Sequence, residues 1–165
     1  MGSIQRKLTA ALLGAAAIGG ALLPVATAQA APAPQESAVA AAQAAGFSID
    51  VTKSVVDITN RLYDIISNSI AHNQNRSGFV NGIMEGSFYD AGQRYNVMVT
   101  KQNHPYTANL HNIVYDAIVH SGYPDFRVIV FESGTFTNRG DGGHINWAFR
   151  GWFTRDGMTV NFRKP

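Results

Sequence analysis

From Ile145 to Phe162 the chain alternates between apolar and polar residues with a period of two, and few folds other than an antiparallel sheet can use such a pattern. Ile145, Trp147, Phe149 and Phe153 fall on one side, with Gly151 at the intervening position. Asn146, Ala148, Arg150 and Trp152 fall on the other. Asp156-Gly157 is hairpin chemistry, and beyond it Met158, Val160 and Phe162 alternate with Thr159, Asn161 and Arg163. The C-terminal part is therefore expected to be a strand pair with one wet face, and alternation assigns Trp147 to the core and Trp152 to the outside.

Upstream, the same period recurs at Tyr95, Val97 and Val99 after the turn signal Asp90-Ala91-Gly92, which suggests a hairpin. Phe126 to Phe131 is apolar at every position but Arg127, the mark of a central strand covered on both faces. Residues 110–120 fit a helix by spacing and a strand by their β-branched content; the neighbouring strands favour strand. Residues 79–89 stay ambiguous because Gly82 and Gly86 weaken either choice.

A helical period governs the segment before these. Val51, Val55, Ile58, Leu62, Ile65 and Ile66 recur at three- and four-residue spacing, predicting an amphipathic helix from Ser48, its N-cap, to about Ile70. The expected fold is α+β, with that N-terminal helix packed on a mostly antiparallel sheet of about five or six strands.

Residues 1–30 have the form of an export signal: Arg6 and Lys7, an apolar run from Leu8 to Val25, and the small-x-small site Ala28-Gln29-Ala30. Secretion follows as an expectation, with no membrane anchor after cleavage. Residues 31–45, rich in Ala and Pro, read as a flexible leader, and residues 46–165 as one α+β domain. The chain has 13 Lys and Arg against 11 Asp and Glu; loss of Arg6 and Lys7 would leave 11 against 11. A neutral mature chain gives no electrostatic footprint for nucleic acid. With no cysteine, disulfides and thiolate metal sites are excluded.

Candidate chemistry concentrates between Gly134 and Gly151. The glycines around Arg139, Asp141 and His144 permit an anion-binding nest of backbone amides, or simply a tight connection with solvated charges. Arg139-Gly140-Asp141 matches the integrin-binding tripeptide, too short to carry weight. Asp141 alone is not a calcium loop, and the five histidines lack metal-site spacing, so neither metal nor cofactor is expected. If the protein is an enzyme, His144, Glu132, Arg139 and His104 form the minimal kit of a metal-independent ribonuclease: base, acid and phosphate clamp. No nucleophile elbow, P-loop or dinucleotide fingerprint occurs, and a non-enzyme is favoured. The expected ligand-binding residues are then Arg139, Asp141, His144, Arg150 and Trp152, acting on a cell-surface glycan or lipid. A membrane-active toxin built on the amphipathic helix is the remaining alternative.

The run FESGTFTNRGDGGHINWAFRGWF, with AGQRYNVMV upstream, resembles small exported bacterial proteins grouped loosely as stress proteins. The resemblance covers about Asn75 to Pro165. It implies export and a compact domain, and carries no activity or catalytic residue.

Overall fold

The structure is a computed structural model that describes Ala40 and residues 46–72, 74–143 and 145–165. Everything described lies within residues 32–165. The segment expected to be an export signal, most of the expected leader and His144 lie outside the described residues.

The fold is α+β and mostly β, with two helices and nine strands among the described residues. In order these are β1 (Ser48–Ser54), α1 (Thr59–Ala71), α2 (Arg76–Asp90), β2 (Asn96–Lys101), β3 (Tyr106–His111), β4 (Tyr115–His120), β5 (Phe126–Phe131), β6 (Ser133–Asn138), β7 (Trp147–Arg150), β8 (Phe153–Asp156) and β9 (Thr159–Phe162). They form not one sheet of five or six strands but two antiparallel sheets, ordered β1-β4-β5-β2-β7 and β3-β6-β9-β8.

The predicted helix from Ser48 is corrected at its start. Ser48 to Ser54 pairs with β4 as an edge strand, where Ile49, Val51 and Thr52 use their β-branched preference. The helix begins at Thr59, and its N-terminal amide is met by Asp57 rather than Ser48: Thr59 N donates to Asp57 Oδ1 at 3.0 Å. That bond and the Thr59 hydroxyl hold the Asp57 carboxyl below its ordinary pKa. Leu62, Ile65 and Ile66 are buried, as the helical spacing requires.

Residues 79–89 resolve as helix, capped by Asn75, whose side chain accepts Gly78 N at 2.8 Å. The glycines that obscured the pattern have a packing reason. A Cβ at Gly86 would overlap Ile65 Cδ1, and one at Gly82 would come within 3.3 Å of Ile65 Cγ2, so glycine lets α2 lie close against α1. The turn at Asp90 joins α2 to β2 and makes no hairpin. Residues 110–120 are mostly strand, interrupted where Asn112 takes φ 52° between β3 and β4.

Two cores result. On one face of the five-stranded sheet Val97, Val99, Tyr115, Ala117, Val119, Phe126, Val128 and Val130 meet the helices. Tyr115 is fully buried; burial pushes its pKa up to about 12, and its hydroxyl bonds Thr59 Oγ1 at 3.0 Å, tying β4 to the start of α1. On the other face Met98, Ile129, Phe131 and Trp147 meet Phe136, Val160 and Phe162 of the second sheet. Phe126 to Phe131 is the covered central strand its composition predicts, and Trp147 is core at 3% exposure. Ile145 and Phe153, expected in the core, remain exposed at 37% and 38%, one preceding β7 and the other on edge strand β8.

The C-terminal alternation proves to be shared between the sheets. β7 belongs to the five-stranded sheet and β8 and β9 to the other, and the chain turns the corner at Gly151, with φ 133°. A Cβ there would overlap Asn96 Oδ1. Fully buried Asn96 holds this corner: its Oδ1 accepts Trp152 N at 2.8 Å, while its Nδ2 donates to Glu132 O at 2.7 Å and Arg163 O at 3.0 Å.

Candidate functional site

The Asn138 to Asn146 loop is closed upon itself. Asn138 Oδ1 accepts Gly140 N at 2.8 Å, and Asp141 Oδ1 accepts Gly143 N at 2.9 Å. The Gly140 and Gly143 amides, which an anion nest would offer to a ligand, are thus committed to side-chain oxygens. Asp141 Oδ2 also accepts Asn146 Nδ2 at 3.2 Å, Arg76 donates to Asn146 Oδ1, and Trp147 Nε1 donates to Gly142 O at 3.2 Å. The Asp141 carboxylate organises the connection. His104 is buried, and its Nε2 lies 2.7 Å from Asn138 Oδ1. That oxygen can only accept, so Nε2 is the donor of the pair.

Two members of the ribonuclease kit, Glu132 and Arg139, stand apart. Glu132 precedes β6 and Arg139 follows it, which puts them at opposite ends of a six-residue strand, roughly 20 Å apart. Glu132 is engaged by Asn112 at 2.9 Å and Lys164 at 3.2 Å, contacts that lower its pKa. Arg139 is exposed, its Nε 3.4 Å from Thr107 Oγ1.

Arg150 and Trp152 do share a surface, against α2. Arg150 Nη1 lies 3.3 Å from Glu85 Oε1, and its guanidinium stands 5.4 Å above the Phe88 ring. Trp152 packs on Phe88 at 5.8 Å between centroids and is partly buried at the helix-side core. Alternation placed Trp152 opposite Trp147 correctly, but that opposite side is the underside of a helix.

A cleft of about 410 Å3 lies elsewhere, beside the exposed sides of α1 and α2, lined by Asp57, Asn60, Arg61, Asp64, Tyr89 and Asp90. Asn60, Arg61 and Asp64 lie on one side of α1 at one-turn spacing, and Asp57 joins them from just before the helix start. The helical pattern shows that stripe only as a polar face; Tyr89 and Asp90 come from the end of α2 and are joined to it by tertiary packing alone. Three aspartates against one arginine leave the cleft formally at −2. Tyr89 is 53% exposed, an aromatic wall beside carboxylate acceptors and a guanidinium donor. Among the described residues no group of three or more His, Cys, Asp or Glu is placed to hold a metal ion, and no helix is long and apolar enough to cross a membrane.

No family profile matches the chain, and no solved structure matches it. Across its whole length, and the whole length of the relative, it is 44% identical over 168 residues to a protein of Bacillus subtilis (strain 168) named Stress response protein YvgO. Identity at that level along both complete chains leaves no segment unmatched, and the chain belongs to the family of the bacterial stress response protein YvgO.

Proposed function

We propose that this protein is an exported, cofactor-free binding module that takes a cell-envelope glycan bearing amino sugars into the cleft between α1 and α2. The observation that carries the reading is the lining of that cleft: an exposed Tyr89 beside Asp57, Asn60, Arg61, Asp64 and Asp90. Sugar rings offer an apolar face that stacks on an aromatic ring and hydroxyls that pair with carboxylates, amides and guanidinium groups. The cleft's formal charge of −2 repels phosphodiesters and anionic lipid headgroups and attracts a protonated amine. Between glycan and lipid, the charge favours the glycan.

The two other readings have less behind them. A hydrolase would need the Glu132 and Arg139 groups at one bond, and they flank opposite ends of β6. A toxin would need the apolar face of α1, whose Leu62, Ile65 and Ile66 are buried in the helix-side core.

Titration calorimetry of the full chain without residues 1–30 against soluble glucosamine and N-acetylglucosamine oligosaccharides tests the proposal. Binding should weaken at least tenfold in Tyr89→Ala and Asp64→Asn, the loss of about 1.4 kcal/mol or more. Absence of heat with any oligosaccharide, or variants that bind as the parent does, would remove the cleft from consideration.

A further inference from the structure

The outer face of the four-stranded sheet carries an arrangement that the cleft does not explain. Register places Thr107, Thr137, Thr159 and Asp156 side by side in one rank across β3, β6, β9 and β8. Asn109, Thr135, Asn161 and Thr154 form the next rank. Of the eight positions five are threonine, two asparagine and one charged, Asp156 at the edge. None is buried. Solvated strands, edge strands above all, ordinarily carry lysine and glutamate, which keep the surface soluble and unpaired. Here those residues are missing from the two ranks, and the charges of Arg139, Asp156 and Arg163 stand around the margin.

The side chains are also held in place. Thr135 Oγ1 donates to Asn161 Oδ1 at 2.9 Å, and the Thr137 and Thr159 hydroxyls are 3.1 Å apart. Behind them Phe136, Val160 and Phe162 are buried in the inter-sheet core, so the plane is rigidly backed. Strand geometry sets the lattice: about 4.8 Å between neighbouring positions across the sheet and about 6.7 Å between ranks. Each hydroxyl can donate one hydrogen bond and accept others, and each amide does both. Between β3 and β6 a shallow hollow is lined by Thr107, Ala108, Asn109, Thr135 and Thr137.

We infer that this face is a second binding surface, one that lies flat on the surface of an insoluble neutral polysaccharide. The chemistry selects that occupant. The two ranks offer neither an apolar area for a protein or bilayer nor the cluster of positive charge that a nucleic acid requires. They offer a rigid field of paired donors and acceptors, and the complementary partner is an extended, uncharged surface of hydroxyls and amides. Such contacts are individually weak and additive over the plane, with little side-chain freedom left to lose on binding. The inference extends the glycan reading of the α1–α2 cleft: the cleft takes a single chain, and the sheet face holds the protein on the bulk polymer.

The test uses the full chain without residues 1–30, pelleted with microcrystalline cellulose and with insoluble bacterial cell-wall sacculi. Thr135→Val with Thr137→Val removes two hydroxyls at nearly constant shape and keeps β-branched residues in the strand, so the thermal transition should not move. The pelleted fraction at equal polymer should fall at least fivefold, while calorimetry with soluble oligosaccharides stays as in the parent. Thr154→Lys, which adds charge and bulk to the same plane, should do likewise. Pelleting of the variants at the parental level, or failure of the parent to pellet with either polymer, would overturn the inference. Tyr89→Ala separates the two proposals: it should weaken oligosaccharide binding at least tenfold and leave most of the pelleting intact.

Discussion

The five-stranded sheet is covered on both faces, by α1 and α2 on one and by the four-stranded sheet on the other, whereas the four-stranded sheet keeps one face in water. The sequences of the strands follow. β5 at the centre of the first sheet reads FRVIVF, with every residue buried but Arg127, which is neutralised by Asp116 through Nε to Oδ1 at 2.8 Å and Nη2 to Oδ2 at 2.6 Å. β8 at the edge of the second reads FTRD and is exposed throughout. Side chains at the centre of the first sheet are constrained by volume on two sides, while the outer residues of the second are constrained only by β propensity and by hydrogen bonds among themselves, such as Thr135 to Asn161 and Thr137 to Thr159.

The comparison is tested most severely by truncating one residue from each. Phe126→Ala should lower stability by about 3–5 kcal/mol, since the ring is fully buried between helices and sheet, whereas Thr154→Ala should stay within about 0.5 kcal/mol. Urea midpoints for the two variants measure this, and similar losses would end the distinction between a sheet covered on both faces and one with a solvated face.

A smaller effect probes the corner that links the sheets. Asn96→Ala leaves the Trp152 amide and the Glu132 and Arg163 carbonyls without their partner and should cost roughly 1–3 kcal/mol. Hydrogen exchange at the Trp152 amide should accelerate in this variant; if it does not, the corner is held by Gly151 geometry alone.

The smallest effect concerns the exposed edge. His120 on β4 lies 3.1 Å from Asp50 of edge strand β1 and 3.0 Å from Asp125. Partial burial lowers its pKa, but the hydrogen bonds to the two aspartates outweigh it and the net shift is upward. A folded-state value above the unfolded one means that the contribution is fully present below the unfolded value near 6.5 and is lost as pH rises through the folded pKa. Between about pH 6 and 8 the parent should lose thermal stability relative to His120→Gln, by ~0.5 kcal/mol or less because the pairs are solvent-screened. Parallel melting curves for the two proteins across that range would show that β1 is held by backbone pairing alone.

Much of the architecture was legible. The central strand 126–131, the buried Trp147 and the helical face of Leu62, Ile65 and Ile66 all follow from periodicity, because each lies in one element whose covering is uniform along its length. The errors have a common cause. Val51 and Val55 continue the helical spacing by coincidence, yet they are exposed, and pairing with β4 decides that 48–54 is a strand. Gly86 looks like a helix breaker until Ile65 is seen against it. The candidate site was less legible still. Arg139, Asp141 and their glycines carry the residue types of a binding loop, but which amides they satisfy depends on Asn138 and Asn146 side chains whose reach no spacing encodes.

By itself the sequence determined the composition of the layers: which strands are apolar on both faces, which on one, where the turns fall, and that no cysteine chemistry takes part. Only the tertiary structure decided that the final alternation is divided between two sheets at Gly151, that Glu132 and Arg139 stand apart, and that Asp57 to Asp64 face Tyr89 and Asp90 across a cleft. Periodicity reports the surroundings of one element averaged over its length, whereas a cleft or a corner is made where two elements meet. The side chains that make it are brought together by burial elsewhere in the chain.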